Sequence, residues 1–308
     1  MDAAFTAEQD ELRSQARSYL AGNPSPSWSD LADLGWTGVS VSEEHGGAGL
    51  GFLEEGVLIE ELGRALVHAP FLSTLALLPA LPAELQGEVA AGRESWVLAL
   101  GPLVPDLDSV SRVAIVGGDG IYELVGFDRE LLASSDETRP LGVVSGGEPG
   151  PLLASSERLP GLRTRLLAAL ALEATGVGAH VLELSIGYAK ERMQFGRPIG
   201  SYQAIAHPLA DVYVQLELGR SLAYWAAWCV TTDDPQAALA AAGAKSAAAE
   251  AAVFACERAI QTHGGIGFTW EHPLHRYYKR ALGIQSWEAS SGQLRAEVAQ
   301  SLLSEGGA

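Results

Sequence analysis

Apolar and polar positions fall into three textures along this chain. The segment FTAEQDELRSQARSYLA has a capping residue at Thr6, acids in its first turn and a stop at GNPSPS, which predicts a surface helix. WSDLADLGWTGVSVSEEHGGAGLG reads as a short helix running into a glycine-rich loop, and FLEEGVLIEELGRALVHAPFLSTLALL places its apolar residues at helical spacing. From Ser95 to about Ser145 the pattern changes to short apolar or β-branched runs, SWVLAL, VAIVGG and LGVVS, separated by Gly, Pro and Asp, which predicts a small β domain. From Leu162 onward it is long and helical again, rich in alanine and leucine. Three long segments and a shorter tail predict an antiparallel bundle of four helices. The expected fold is therefore mainly α with a small β domain (α+β): an N-terminal helical domain over 1–94, a β domain over 95–160 and a helical bundle over 161–308.

Charge and composition narrow the function classes. The net charge of -18 over 308 residues argues against a nucleic-acid binder, because a phosphate backbone demands a basic footprint. A diphosphate-bearing small molecule is still compatible, since only the field within a Debye length of about 8 Å is felt at a site. The two cysteines, Cys229 and Cys256, sit in alanine-rich apolar segments and read as buried thiols of a reducing, cytoplasmic protein. No uninterrupted apolar run reaches the roughly 18 residues of a membrane span. His45, His207, His263, His272 and His275 lack ligand spacing with Cys or acidic partners, so no metal site is expected. Glu173, a lone acid in an apolar helix, is expected to pair with an arginine or lysine of the bundle, because an unpaired buried carboxylate is costly.

Several blocks carry candidate chemistry. Gly46, Gly47 and Gly49 have no strand before them and read as a tight turn. Arg192-Met-Gln-Phe-Gly-Arg-Pro-Ile follows a long helix. A guanidinium there offers paired charge-assisted bonds to a diphosphate, while a helix stop at Gly196 is the plainer reading. Gln261-Thr-His-Gly-Gly-Ile-Gly-Phe ends the next-but-one helix in the same way, and QTHGGIGFTWEHPLHRYYKRA leads on to Trp287-Glu288-Ala289-Ser290.

In sequence and order these blocks, with LADLGWTGVSVSEEHGGAG, EELGRAL and YAKERMQFGRPIGSYQAIAHPLAD, resemble the acyl-CoA dehydrogenase family over nearly the whole chain except the β segment. The resemblance implies FAD, with Arg192, Gln194, Phe195, Gln261, Gly264, Gly265 and Gly267 at its ADP end, which in this family belongs to the flavin of a neighbouring subunit. It implies α,β-dehydrogenation of an acyl-CoA passing electrons to an electron-transfer acceptor. Glu288 matches the offset of the family's base, which takes an α-proton while the β-hydrogen leaves as hydride, although its neighbours differ from the usual tyrosine, glycine and threonine. Arg165 matches an arginine near the family's active site, and Thr164 leaves the family's alternative base position empty.

The resemblance fails in the β segment. SWVLALGP runs directly to LVPDLDSVSRVAIVGGDGIYEL, without the threonine-glutamate-proline-glycine loop and tryptophan strand that hold the flavin ring in the family. A chain with the ADP-holding half and a truncated ring-holding half is similar to the short subunit of heterotetrameric bacterial acyl-CoA dehydrogenases, several of which act on steroid-derived CoA esters. This implies a longer paralogue as partner in an α2β2 assembly. The alternatives are a catalytically silent subunit that completes the partner's FAD site, and a flavin-dependent oxidase or hydroxylase on the same fold.

Overall fold

The computed structural model describes residues 5–305; the outermost residues of the 1–94 and 161–308 spans lie outside them. The N-terminal part consists of α1 (Ala7–Gly22), α2 (Trp28–Asp33), α3 (Phe52–Arg64), α4 (Phe71–Leu77) and α5 (Ala83–Ala90). Thr6 caps α1 through a reciprocal exchange with Gln9, and Ser27 does the same for α2 with Asp30, so the entry signals act as their chemistry dictates. The run from Phe52 to Leu77 is two helices rather than one. Leu66 turns into the left-handed region at φ 50°, and Pro70 precedes α4. The glycine cluster is a tight turn: a Cβ on Gly47 would fall 2.1 Å from the Val41 carbonyl.

The middle of the chain forms a five-stranded sheet from β1 (Trp96–Ala99), β2 (Val104–Pro105), β3 (Arg112–Val116), β4 (Gly120–Leu132) and β5 (Leu141–Ser155), in the order β1-β3-β4-β5-β2. β1 and β3 pair in parallel, and β4 and β5 form a long hairpin registered from Gly120 opposite Ser155 to Leu132 opposite Leu141. The sheet has its own small core of Val97, Val104, Leu107, Val110, Val113 and Leu124. It extends past Ser145, through the glycine- and proline-rich stretch SGGEPGP. Backbone pairing with β4 holds that stretch in the sheet although its side chains bury almost nothing.

The C-terminal part is α6 (Leu159–Glu191), the two-residue strands β6 (Met193–Gln194) and β7 (Arg197–Pro198), α7 (Gln203–Thr231), α8 (Ala237–His263), α9 (Leu274–Ser286) and α10 (Ser291–Glu305). Alanines 240, 241, 244, 248, 249 and 252 of α8 are fully or almost fully buried, and their small side chains let α6 and α7 approach closely. α3 crosses α6 at Gly176, where a Cβ would lie 1.9 Å from the Glu60 carbonyl. By length and composition α6 and α8 could each cross a membrane, but their apolar windows are 83% and 67% buried inside the bundle. Burial against neighbouring helices accounts for that hydropathy.

Glu173 is paired, as its surroundings demand. Its carboxylate takes Arg139 from the connection before β5 at 2.8 Å on each oxygen, and Arg280 of α9 at 2.5 Å. Asp136 joins through Arg280 at 3.1 Å, and Asp106 lies 3.5 Å from Arg139. This buried network binds the sheet region to the bundle. Burial pushes the Glu173 carboxyl up, but the two guanidinium groups outweigh it and hold the pKa below its ordinary value.

Candidate functional site

The residues that the sequence singles out lie at the two ends of α6. With 33 residues at about 1.5 Å each, that helix is roughly 50 Å long.

At its start is a cleft of about 670 Å³ between α4, β1, the Leu100–Leu103 connection, the first turns of α6 and the segment after α9. The lining is mostly apolar, with Ala76, Leu77, Leu98, Leu103, Leu162 and Leu166 among its walls. Polar side-chain atoms come from Ser73, Arg163, Trp287 and Glu288. The Ser73 hydroxyl is spent on Asp106. Arg163 is committed to two carboxylates: its Nε donates to Glu288 Oε1 at 2.6 Å, and its two terminal nitrogens donate to Glu297 of α10 at 3.0 Å each. Hydrogen bonds to Glu297 and Glu288 raise the Arg163 guanidinium above its ordinary value.

Glu288 sits in a sharp turn at φ 68°, a conformation that an L residue adopts only when its surroundings impose it. Its other oxygen, Oε2, is buried without a hydrogen-bond partner among the described residues. Lys245 of α8 donates from below to the carbonyls of Gln285, at 2.9 Å, and Ala289. Burial pushes the Lys245 ammonium down to about 8, against the pull of Glu288.

Arg165, which the resemblance puts near the active site, does not line this cleft. Two residues turn the helix by about 200°, so Arg165 points to the interior while Arg163 faces the cleft. There Arg165 pairs with Glu55, donates to the Leu75 carbonyl at 2.9 Å and lies 4.4 Å from the centre of the Phe52 ring. Sequence reasoning passed over Arg163 and Lys245. Arg163 carried no signal beyond being a charge near a helix start, but Lys245 did: it is a lone cation in AAAGAKSAAAE, the situation already diagnostic at Glu173.

At the far end of α6, Arg192 leaves the helix in extended conformation and enters the β6–β7 hairpin. Phe195 at φ 52° and Gly196 at φ 79° form its two-residue turn, so this block is a hairpin rather than a simple helix stop. Phe195 is 92% exposed at the tip. α8 ends at the same place: Gly264 takes φ 62°, and Gly267 packs so tightly that a Cβ would meet the Ile260 carbonyl at 2.6 Å. Tyr188 stacks on His263 at 4.4 Å and ties the two blocks together.

Around this junction the side chains of Arg192, Gln194 and Gln261 are exposed and make no hydrogen bond or ion pair among the described residues. Gly264 and Gly265 leave open space where a Cβ would stand. An uncommitted guanidinium, two free amides and bare backbone suit a diphosphate-bearing group. The cleft suits a flavin ring poorly. Of its polar side-chain groups only the Trp287 indole N–H is an uncommitted donor to the ring's polar edge.

Residues 4–82 match the acyl-CoA dehydrogenase N-terminal domain, and residues 164–303 the C-terminal domain. The chain is 36% identical over 257 residues to acyl-CoA dehydrogenase IpdE2 of Mycobacterium tuberculosis, covering 81% of this chain and 78% of that protein. It is 33% identical over 283 residues to the IpdE2 of Mycolicibacterium smegmatis, covering 90% and 88%. Among solved structures it is similar to the Tcur3481-Tcur3483 steroid ACAD, with a TM-score of 0.87 and 27% identity over 97% of this chain and 98% of that one. It also has the fold of a chain in the ChsE4-ChsE5 complex from Mycobacterium tuberculosis, with a TM-score of 0.88 and 22% identity over 98% and 99%.

Proposed function

Since the chain belongs to the acyl-CoA dehydrogenase family, we propose that it is one subunit of a heteromeric FAD-dependent acyl-CoA dehydrogenase, holding the ADP end of a flavin whose ring rests on a longer paralogue. The observation that carries this reading is a cleft whose polar side chains are almost all committed and suit a flavin ring poorly, set against an uncommitted diphosphate site at the far end of α6. The uncommitted Arg192, Gln194 and Gln261 lie roughly 50 Å of helix away from the cleft at Glu288, beyond the reach of one extended dinucleotide. One copy of this chain therefore cannot apply both ends to the same flavin.

Within the reading each residue has a task. Arg192 gives charge-assisted bonds to the diphosphate, Gln194 and Gln261 offer amide donors beside it, and Gly264, Gly265 and Gly267 let backbone N–H groups approach. Phe195, exposed at the hairpin tip, becomes buried against the other subunit. The bound flavin supplies a hydride acceptor for the β-hydrogen of an acyl-CoA. The similarity to a steroid ACAD supports a steroid-derived acyl group.

Co-expression with a longer paralogue tests the proposal. The expected product is a yellow complex with one flavin per pair of unlike chains, which bleaches on addition of an acyl-CoA. A fully flavinated protein from this chain alone would refute it. A second reading, a subunit that completes the site but does no chemistry itself, draws support from the Glu288–Arg163 ion pair.

A further inference from the structure

Three consecutive residues beside the cleft are each gripped by a cation from a different element. The Trp287 ring lies 5.1 Å from the guanidinium of Arg139, which reaches over from the connection before β5. Glu288 is bonded by Arg163 of α6 at 2.6 Å. The Ala289 carbonyl is bonded by Lys245 of α8. None of the three cations ends there. Arg139 continues to Glu173, Arg163 to Glu297 and Lys245 to the Gln285 carbonyl, so the turn is locked into the sheet region, α6, α8, α9 and α10 together.

A base for carbon acids needs a carboxylate free to turn toward the α-carbon. The Glu288 carboxylate is instead aligned through Oε1 by one nitrogen of a guanidinium whose two other nitrogens are fixed on α10, which fixes the direction of Oε2 although that oxygen has no partner among the described residues. Its backbone, at φ 68°, is held where it stands by the same turn.

We propose that Glu288 is an ionic anchor rather than a base: it fastens the Trp287–Ala289 turn to Arg163 at the start of α6, and Arg163 in turn holds α10 through Glu297. The cleft of this chain is then a structural copy of a reacting centre that operates on the partner. Arg163 is the positioning residue of the anchor. This rests on the heteromeric reading for the location of the chemistry, but the anchor itself is a property of the chain alone.

The test has two arms. In the isolated chain, Arg163→Gln and the milder Glu297→Gln are compared with the wild type by amide exchange across 291–305 and by thermal midpoint. The expected result is about tenfold faster exchange in α10 and a midpoint lower by about 2–4 °C. Unchanged α10 exchange in both variants would overturn the anchor. In the flavin-loaded complex, the pH profile of turnover is recorded for the same two variants, and its limbs are expected to stay in place. A limb displaced by about one pH unit on removing Arg163, or a hundredfold loss of turnover in Glu288→Gln at unchanged flavin content, would return Glu288 to the chemistry. Failure of the wild-type pair to take up flavin sinks the heteromeric reading and leaves the exchange arm to decide the anchor.

Discussion

Arg139 and Glu173 meet side by side between sheet and bundle, with both terminal nitrogens of the guanidinium 2.8 Å from the two carboxylate oxygens. Arg280 approaches one of the same oxygens, so Glu173 is shared by two buried cations, with Asp136 on Arg280 and Asp106 beside Arg139 completing the network. Glu173→Gln is expected to destabilise the protein by about 3 kcal/mol, because it takes the shared carboxylate from two buried guanidinium groups and leaves them only Asp136 and Asp106. Urea unfolding of wild type and variant reads the difference. Glu173 also sets an acid limit. Its folded pKa is lowered from 4.5, so the stabilisation is present above that value and is lost as pH falls through the folded pKa; unfolding midpoints measured below pH 4.5 should drop in the wild type more than in the variant.

Lys245 gives a pH slope of the same direction at the alkaline end, but from a charge that burial penalises rather than one that partners favour. Its ammonium is pushed by burial from 10.5 down to about 8, with Arg163 adding to the shift and Glu288 opposing it. Between these values the unfolded chain binds the proton and the folded chain does not, so the Lys245 contribution makes stability rise with pH through that window. Lys245→Met removes this contribution. Unfolding midpoints at pH 8 and pH 10 should therefore diverge less favourably for the variant than for the wild type, and equal pH slopes would contradict the assignment.

Two glycines should respond to alanine with opposite signs. At Gly176 a Cβ would sit 1.9 Å from the Glu60 carbonyl, so Gly176→Ala forces α3 off α6 and should destabilise by about 2–3 kcal/mol. Gly243, inside α8, has nothing within 4 Å of the same position, and Gly243→Ala should stabilise by about 0.5–1 kcal/mol through helix propensity. Thermal unfolding of the two variants decides both.

At the ADP end, Arg192→Gln should weaken flavin binding by the heteromer about 10- to 100-fold, the worth of a charge-assisted hydrogen bond. The unfolding midpoint of the chain should not move, since the side chain is exposed and makes no contact that the fold depends on. Flavin titration of the apo-complex, followed by fluorescence, measures the affinity. An unchanged affinity would remove Arg192 from the site.

Much of the architecture was legible before any coordinates. The switch from helical spacing to short β-branched runs and back marks the sheet between helical parts, and the alanine-rich surfaces of α7 and α8 signal close packing. Glu173 announced its ion pair because a lone acid in an apolar helix has few alternatives. Other features have no local signature. The outer half of the β4–β5 hairpin is held by backbone pairing that composition does not report, and the break between α3 and α4 turns on one left-handed residue, Leu66.

For the site, the sequence determined the chemical inventory: the arginine-glycine block at Arg192, the glycine turn after Gln261 and an acid at Glu288, in family order. Only the tertiary structure decided what these groups can do together. A motif records spacing along the chain, whereas cooperation at a site depends on separation in space. Helix α6 carries its two ends roughly 50 Å apart, and its pitch turns Arg163 toward Glu288 while turning Arg165 away.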